Sequence, residues 1–405
     1  MNILFLHQNF PGQFLHLAPA LARLGHRVVA LARRDNGALP GIQSYRYGSE
    51  ETAPTTHPWS RDFVSKTVVG EQCANAALAL RAKGFEPDLI VSHPGWGESM
   101  FMRDVFPGAR QRIYAEFFYA NTGLDTGFDP EFGPASGRAD WRTGAHIRAR
   151  NAAQLVSLEQ MDAAISPTAW QRSTYPPAFR DRIDIAFDGV DTDSVRPDPG
   201  ASFETNGTVF RAGEPVVTFV ARNLEPYRGY HVFMRSLPDI LRRNPQARVL
   251  IVGGDGCSYG LPPRGGATYK EMFFDEVKND LDMQRVFFLG RVPYASFVKI
   301  LQVSACHVYL TYPFVLSWSL IEAMAGGCAI VASATGPVFD AIEHGKNGVL
   351  VDFFDRRAIS DTVTEMLRRP HGFERLRRAA RTTAENRFDL NRICLQRQID
   401  LALAT

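Results

Sequence analysis

Apolar residues in this chain fall into short continuous runs separated by stretches with helical spacing, and the alternation repeats almost from end to end. Residues 2–6 form the first run. It is too uniformly apolar for a strand with one wet face and predicts a parallel strand buried on both sides. The turn Asn9-Phe-Pro-Gly-Gln13 follows, then Phe14, Leu17, Ala18, Leu21 and Leu24 at helical spacing, a stop at Gly25, and a second run over 28–32. Strand, helix and strand in that order form a βαβ unit, whose right-handed crossover puts the Pro11-Gly12 turn at the carboxyl edge of a sheet. Further strands are predicted over 89–92, 113–115, 163–166 and 183–187, with helices between them, notably over 71–83 and 152–161.

Residues 188–200 break the periodicity with Asp, Gly and Pro and read as a linker. A second alternation follows: strand 216–220, helix 231–243, strands 248–252, 286–289 and 306–310, helix 317–325, then strands 329–332 and 349–351. The tail over 356–404 is helical in pattern and rich in arginine. Two successive alternating halves imply an α/β protein of two Rossmann-like domains with a cleft between them.

Composition narrows the class. A chain of 405 residues exceeds one ordinary core, and 45% hydrophobic with 22% charged residues is the content of a globular protein. A net charge of +2 argues neither for nucleic acid nor for a strongly acidic partner, and no nucleic-acid partner is expected. Cys73, Cys257, Cys306, Cys328 and Cys394 are scattered without CxxC spacing, so reduced thiols in a cytoplasmic protein are expected and a zinc site is not. The apolar run after Met1 is too short for a signal peptide, and the longest uncharged run, 323–339, carries Gly326, Gly327, Gly336 and Pro337, which suits helix, turn and strand better than a membrane span.

Candidate chemistry centres on Tyr312-Pro-Phe-Val-Leu-Ser-Trp-Ser-Leu-Ile-Glu322. A strand that breaks at Pro313 and re-forms as a helix leaves unpaired N–H groups at the positive end of the helix dipole, a place that favours anions. Upstream, Arg222 and Arg228-Gly229 follow a strand, and guanidinium groups form paired hydrogen bonds with phosphate. Glu322 has two readings. A helix starting at Ser319 would make it the closing member of a capping box, whereas a start near Ser317 leaves it to accept hydrogen bonds from a ribose diol. Val252-Gly-Gly254-Asp-Gly256 and Leu289-Gly-Arg291-Val292 are two more strand ends that fit a ligand loop or a plain turn.

Taken together, Arg222-x5-Arg228-Gly, Gly253-Gly-Asp-Gly, Leu289-Gly-Arg-Val and Ser319-Leu-Ile-Glu-Ala-Met-Ala-Gly-Gly resemble family-4 retaining glycosyltransferases of the GT-B fold. Asp188-Gly-Val-Asp191 resembles their interdomain segment, and Pro11-Gly12 their first glycine loop. The resemblance implies an acceptor-side domain over 1–195, a nucleotide-sugar domain over 205–385, and a helix over 386–405 returning to the first. It implies that Arg222 and Arg228 hold the donor diphosphate, that Glu322 binds the ribose, and that Ser317, Trp318, Ser319, Gly254 and Gly12 meet the donor. Arg291 and Val292 match the turn that meets the base. The second arginine is usually lysine in the family.

Where the family's E-x7-E motif has its first glutamate this chain has Phe314, and Asp340 stands where the family usually has glutamate. The histidine usual at the end of an N-terminal strand is missing from Ile113-Tyr-Ala-Glu116-Phe-Phe-Tyr119; Glu116 or His93 takes that role, or either positions substrate.

The implied activity is transfer of a hexosyl or N-acetylhexosaminyl group from a UDP- or GDP-sugar, as substrate and with no metal or other cofactor, to a saccharide, lipid-linked saccharide or small-molecule acceptor. The alternatives are a non-catalytic partner subunit of the same fold and, lacking support from a GxGxxG after the first strand, a nicotinamide-dependent oxidoreductase. The Trp141 to Arg150 stretch reads as a solvated helix face, with contact to a lipid surface or an anionic acceptor as the alternative.

Overall fold

The first strand, Asn2–Leu6, is covered on both faces, as its unbroken apolarity requires. Ile3 and Phe5 pack with Phe14, Leu17 and Leu21 on one side, while Leu4 and Leu6 pack with Val69, Cys73, Ala77 and Leu80 on the other. This computed structural model describes residues 1–37, 39–48, 57–133, 140–263 and 265–404. The chain divides into two units, residues 1–188 with 391–405, and residues 189–390.

The first unit is built on a seven-stranded parallel sheet. Its spatial order is Ile42–Arg46, Arg27–Ala32, Asn2–Leu6, Leu89–Ser92, Arg110–Tyr114, Ala163–Ser166, Ile183–Ile185. The second holds a six-stranded parallel sheet in the order Val286–Gly290, Arg248–Gly254, Val216–Asn223, Cys306–Tyr309, Ile330–Ser333, Val349–Val351. In both, the first strand lies inside the sheet. The chain winds outward on one side of it and then crosses to the other. That reversal splays the loops at the carboxyl ends of the two strands flanking it, which is where doubly wound sheets bind ligands.

Buried runs appear where the periodicity places them, and the differences have local causes. The strand Ile42–Arg46 is an edge strand with only Ile42 buried, so it carries no apolar run. The helices expected over 71–83 and 152–161 extend to Arg61–Ala82 and Trp141–Gln160. The second begins where Asp140 caps the Thr143 N–H, a polar signal outside the apolar stripe. Trp141, Arg142, His146 and Arg148 are exposed on it and Ile147 is buried.

Residues just past the linker form an antiparallel hairpin, Ser202–Thr205 with Thr208–Arg211, turning at Asn206 and Gly207 with φ of 48° and 72°. The units part at 188/189 and 390/391 rather than at 195 and 386, because Val190 exchanges backbone hydrogen bonds with Phe388 and Leu390 and Thr192 bonds Asp389 within the second unit. Among the described residues no helix is long and apolar enough to cross a membrane, and all five cysteines are free thiols.

Candidate active site

In the second unit the strand Val216–Asn223 runs past the expected end at 220, so Arg222 lies within its last two residues, exposed. A single 3-10 turn, Pro226–Arg228, then leads through Gly229 into the helix Tyr230–Arg243. Gly229 has φ +69°, and a Cβ there would lie 2.3 Å from Leu310 Cβ. The turn therefore rests directly on the end of the neighbouring strand Cys306–Tyr309, and only glycine permits that approach.

This closeness delivers Arg228 to the segment after that strand. Its Nη1 donates to Thr311 Oγ1 at 2.9 Å and to the Val315 carbonyl at 3.1 Å, and its guanidinium lies 5.3 Å from the Tyr259 ring centroid. Burial works against the Arg228 charge, but the Tyr309 and Tyr259 phenols and the Glu225 carboxyl outweigh it and hold the guanidinium ionised. Glu225, fully buried, fastens the facing loop by accepting from the Ser258 and Tyr259 N–H groups at 2.9 Å each. Burial pushes its carboxyl up, against those hydrogen bonds.

The structure decides between the two helix starts. Ser317 is the N-cap of Trp318–Ala325, its hydroxyl accepting from the Ser319 N–H and its own N–H donating to the Tyr309 hydroxyl at 3.0 Å. Glu322 therefore stands beyond the first turn and closes no capping box with Ser319. The Tyr294 hydroxyl, at the start of the helix Tyr294–Gln302, lies on its side of the site and favours its charged form. Burial pushes the Glu322 carboxyl up to about 7, only partly offset by Tyr294. Trp318 and Ser319, half-buried, occupy the first turn.

Three adjacent strand ends meet at one edge of the same sheet. Arg291 donates to Asn223 Oδ1 at 3.2 Å, and a Cβ on Gly254 would lie 2.6 Å from that oxygen and 2.7 Å from Arg291 Nε. Val292, by contrast, packs against the apolar cluster of Phe210, Val216 and Ile300. Phe314 is buried, with its ring 4.8 Å from Tyr259 and 5.6 Å from Tyr227. An aromatic cluster thus fills the neighbourhood of Arg228 where the resemblance leads one to look for an acid.

In the first unit, three neighbouring strands deliver His7, His93 and Glu116 from their carboxyl ends. Glu116 and His93, read from sequence as rivals, belong to one network: His93 Nε2 lies 3.4 Å from Glu116 Oε2. Glu116 Oε1 accepts from Gln13 Nε2 at 2.8 Å, and Gln13 Oε1 lies 2.8 Å from His7 Nε2. Burial alone would raise the Glu116 carboxyl, but His93 first and then Gln13 outweigh it and hold it below its ordinary value. Burial, with the neighbouring His93, lowers His7 to about 3, so its ring is neutral. Gly12 has φ +49°, and a Cβ there would lie 2.4 Å from His7 Cε1, so this glycine lets the loop close over the ring.

Sequence reasoning missed His7, Gln13, Glu225, Tyr259 and Tyr294. His7 carried a signal, since it directly follows the first strand at the reversal point, and Glu225 lies between the two arginines. Tyr259 and Gln13 meet partners far away in sequence, which no local pattern announces.

Residues 24–195 match the family described as Glycosyl transferase family 4 group, and residues 203–386 match Glycosyl transferases group 1. A D-inositol 3-phosphate glycosyltransferase of Nocardia farcinica is 30% identical over 193 residues, 47% of this chain and 41% of that one. The glycogen synthase of Mycobacterium tuberculosis is 23% identical over 390 residues, 92% of this chain and 86% of that one. Among solved structures, the sucrose-phosphate synthase of Thermosynechococcus elongatus has a TM-score of 0.75 at 18% identity, covering 98% of this chain and 97% of its own. The Anabaena protein HepE in complex with UDP and glucose has a TM-score of 0.67 at 16% identity, covering 99% of each chain.

Proposed function

Since this chain belongs to the family-4, group 1 glycosyltransferases and has their GT-B fold, we propose that it transfers a hexosyl or N-acetylhexosaminyl group from a UDP- or GDP-sugar to a hydroxyl acceptor, with retention of configuration. The observation that carries this reading is the second unit's sheet edge. A capped helix start at Ser317, two arginines, and the buried Glu322 carboxyl one turn further on offer a diphosphate its charge partners and a ribose its acceptor. UDP in the HepE complexes supports that choice of ligand.

The arrangement acts electrostatically. As the glycosidic bond to the diphosphate breaks, charge grows on the leaving oxygen, and Arg228, Arg222 and the helix start stabilise it there. A leaving phosphate oxygen then takes the acceptor's proton on the same face of the sugar. Gly254 and Arg291 form the turn beside the base. On the first unit, Glu116, held by His93, supplies a polar group for the acceptor. The acceptor is a saccharide, a lipid-linked saccharide or a small polyol. The inositol and glucan names of the relatives support a hydroxyl-bearing substrate.

The buried Phe314 favours a second reading, a nucleotide-sugar-binding subunit that does not turn over. One experiment separates the two: binding and turnover of UDP-, GDP- and ADP-sugars by the native chain and by Arg228→Ala. The transferase reading expects turnover that falls about 10²–10³-fold in the variant, the usual worth of one donor to a developing oxyanion. Binding without turnover would support the subunit, and equal turnover in both proteins would remove Arg228 from the leaving-group role.

A further inference from the structure

His7, Gln13, Glu116 and His93 form a hydrogen-bond chain whose direction is fixed by the backbone at both ends. His7 Nδ1 accepts the Asn9 N–H at 3.0 Å, and His93 Nδ1 accepts the Gly95 N–H at 3.0 Å. A ring nitrogen that accepts carries no proton, so each neutral imidazole bears its proton on Nε2. His7 Nε2–H then donates to Gln13 Oε1, which turns the Gln13 amide so that its Nε2–H donates to Glu116 Oε1. The opposite amide orientation would set donor against donor at His7 and oxygen against carboxylate at Glu116. His93 Nε2–H donates to the second carboxylate oxygen.

The rings are also wedged. His93 stacks on Trp96 at 4.4 Å, and His7 meets Trp96 edge-on at 4.7 Å. His7 and His93 are 2% and 5% exposed, whereas the Glu116 side chain is 28% exposed. The buried members therefore hold one member that solvent can reach.

Glu116 in this setting has two lone-pair positions taken and two left. The other titratable groups that face it are His7, His93 and the Tyr114 and Tyr175 phenols, and the Tyr114 hydroxyl is committed to Asp188 at 2.8 Å. An ionised carboxylate repels phosphate and attracts an uncharged hydroxyl. We propose that Gln13, oriented by His7, is a positioning residue that fixes the Glu116 carboxylate to accept one hydroxyl of the acceptor substrate. This rests on the transferase reading above. The amide at position 13 accepts from one neighbour and donates to the other, which neither an apolar side chain nor an ionised carboxylate does.

The test uses the full chain with Gln13→Leu, which removes both hydrogen bonds, and Gln13→Glu, which sets a second carboxylate against Glu116. Gln13 is half-exposed, so both variants are expected to fold, and His7→Leu serves as the buried counterpart. Two quantities are read: the Glu116 carboxyl titration by ¹³C NMR, assigned with Glu116→Gln, and the acid limb of kcat/KM for transfer to maltose and myo-inositol. Both should move up together, by about one pH unit in Gln13→Leu and about two in Gln13→Glu. A structural role alone would lower the melting temperature and leave the acid limb in place.

The proposal is overturned if the Glu116 titration coincides in all three proteins, or if it moves while the acid limb does not. A native chain that binds nucleotide-sugars and transfers from none overturns the transferase reading itself and the substrate role of Glu116 with it. That outcome differs from an active enzyme whose Glu116 titration ignores Gln13.

Discussion

Glu322 is a carboxyl that water barely reaches, and in its proposed role as ribose acceptor its ionisation near neutrality ties ligand binding to pH. A carboxylate accepts ribose hydroxyls better than the neutral acid does, so affinity should rise as pH passes through about 7. UDP-glucose, whose diphosphate does not titrate in this range, should bind about tenfold more tightly at pH 8 than at pH 6, and Glu322→Gln should weaken binding and flatten the dependence. The stability sign is opposite. A carboxyl raised from 4.5 to about 7 on folding binds more protons in the native state. The unliganded protein therefore loses on the order of 3 kcal/mol from this group as pH climbs through that window, and Glu322→Gln should abolish the loss in urea titrations. Much of this site was legible residue by residue: Arg222, Arg228 and Glu322 stand at chain positions where strands end and a helix starts. The environment of Phe314 was not, because its ring partners Tyr227 and Tyr259 come from two other loops.

At the scale of elements, the junction from the 3-10 turn at Pro226–Arg228 into the helix Tyr230–Arg243 depends on one backbone conformation. Gly229→Ala would need both a left-handed alanine and about an ångström of room beside Leu310 that the contact does not have. A loss of about 2–4 kcal/mol is expected, combining the backbone cost with overpacking, and thermal unfolding would register it as a lowered midpoint. Turnover should fall as well, since Arg228 is the preceding residue. Gly25→Ala, also at positive φ but with open space around its Cβ, is the control for the backbone cost alone. Elements announced themselves in the sequence when burial shaped them on both faces. The strand Ile42–Arg46 did not, because a sheet edge tolerates polar residues, whereas the first turns of Trp141–Gln160 were legible as a solvated helix face. The hairpin at 202–211 had a readable signal in Asn206-Gly207, hidden by its position beside a stretch of turn formers.

Over the whole molecule, two alternations of strand and helix became two parallel sheets with the same winding, and that much follows from periodicity and crossover handedness. Periodicity does not say which surface the last amphipathic stripe covers. Ile399 and Ala402, with Leu395 and Leu403 beside them, lie against Ile3, Phe5, Leu17 and Leu21 of the first unit. Deleting residues 395–404 should remove roughly 4 kcal/mol or more of apolar burial from that unit. Residues 189–390 keep their own core, so calorimetry should show the first unit unfolding earlier in the truncated chain while the transition of residues 189–390 stays in place.

The same helix has a consequence in time. A ribosome releases the first sheet long before it makes the segment that seals it. The residues between position 188 and Ala402 take roughly ten to forty seconds to synthesise at usual elongation rates. For that interval the nascent residues 1–188 carry an apolar face still uncovered, a natural client for a holding chaperone until Leu395–Leu403 arrives.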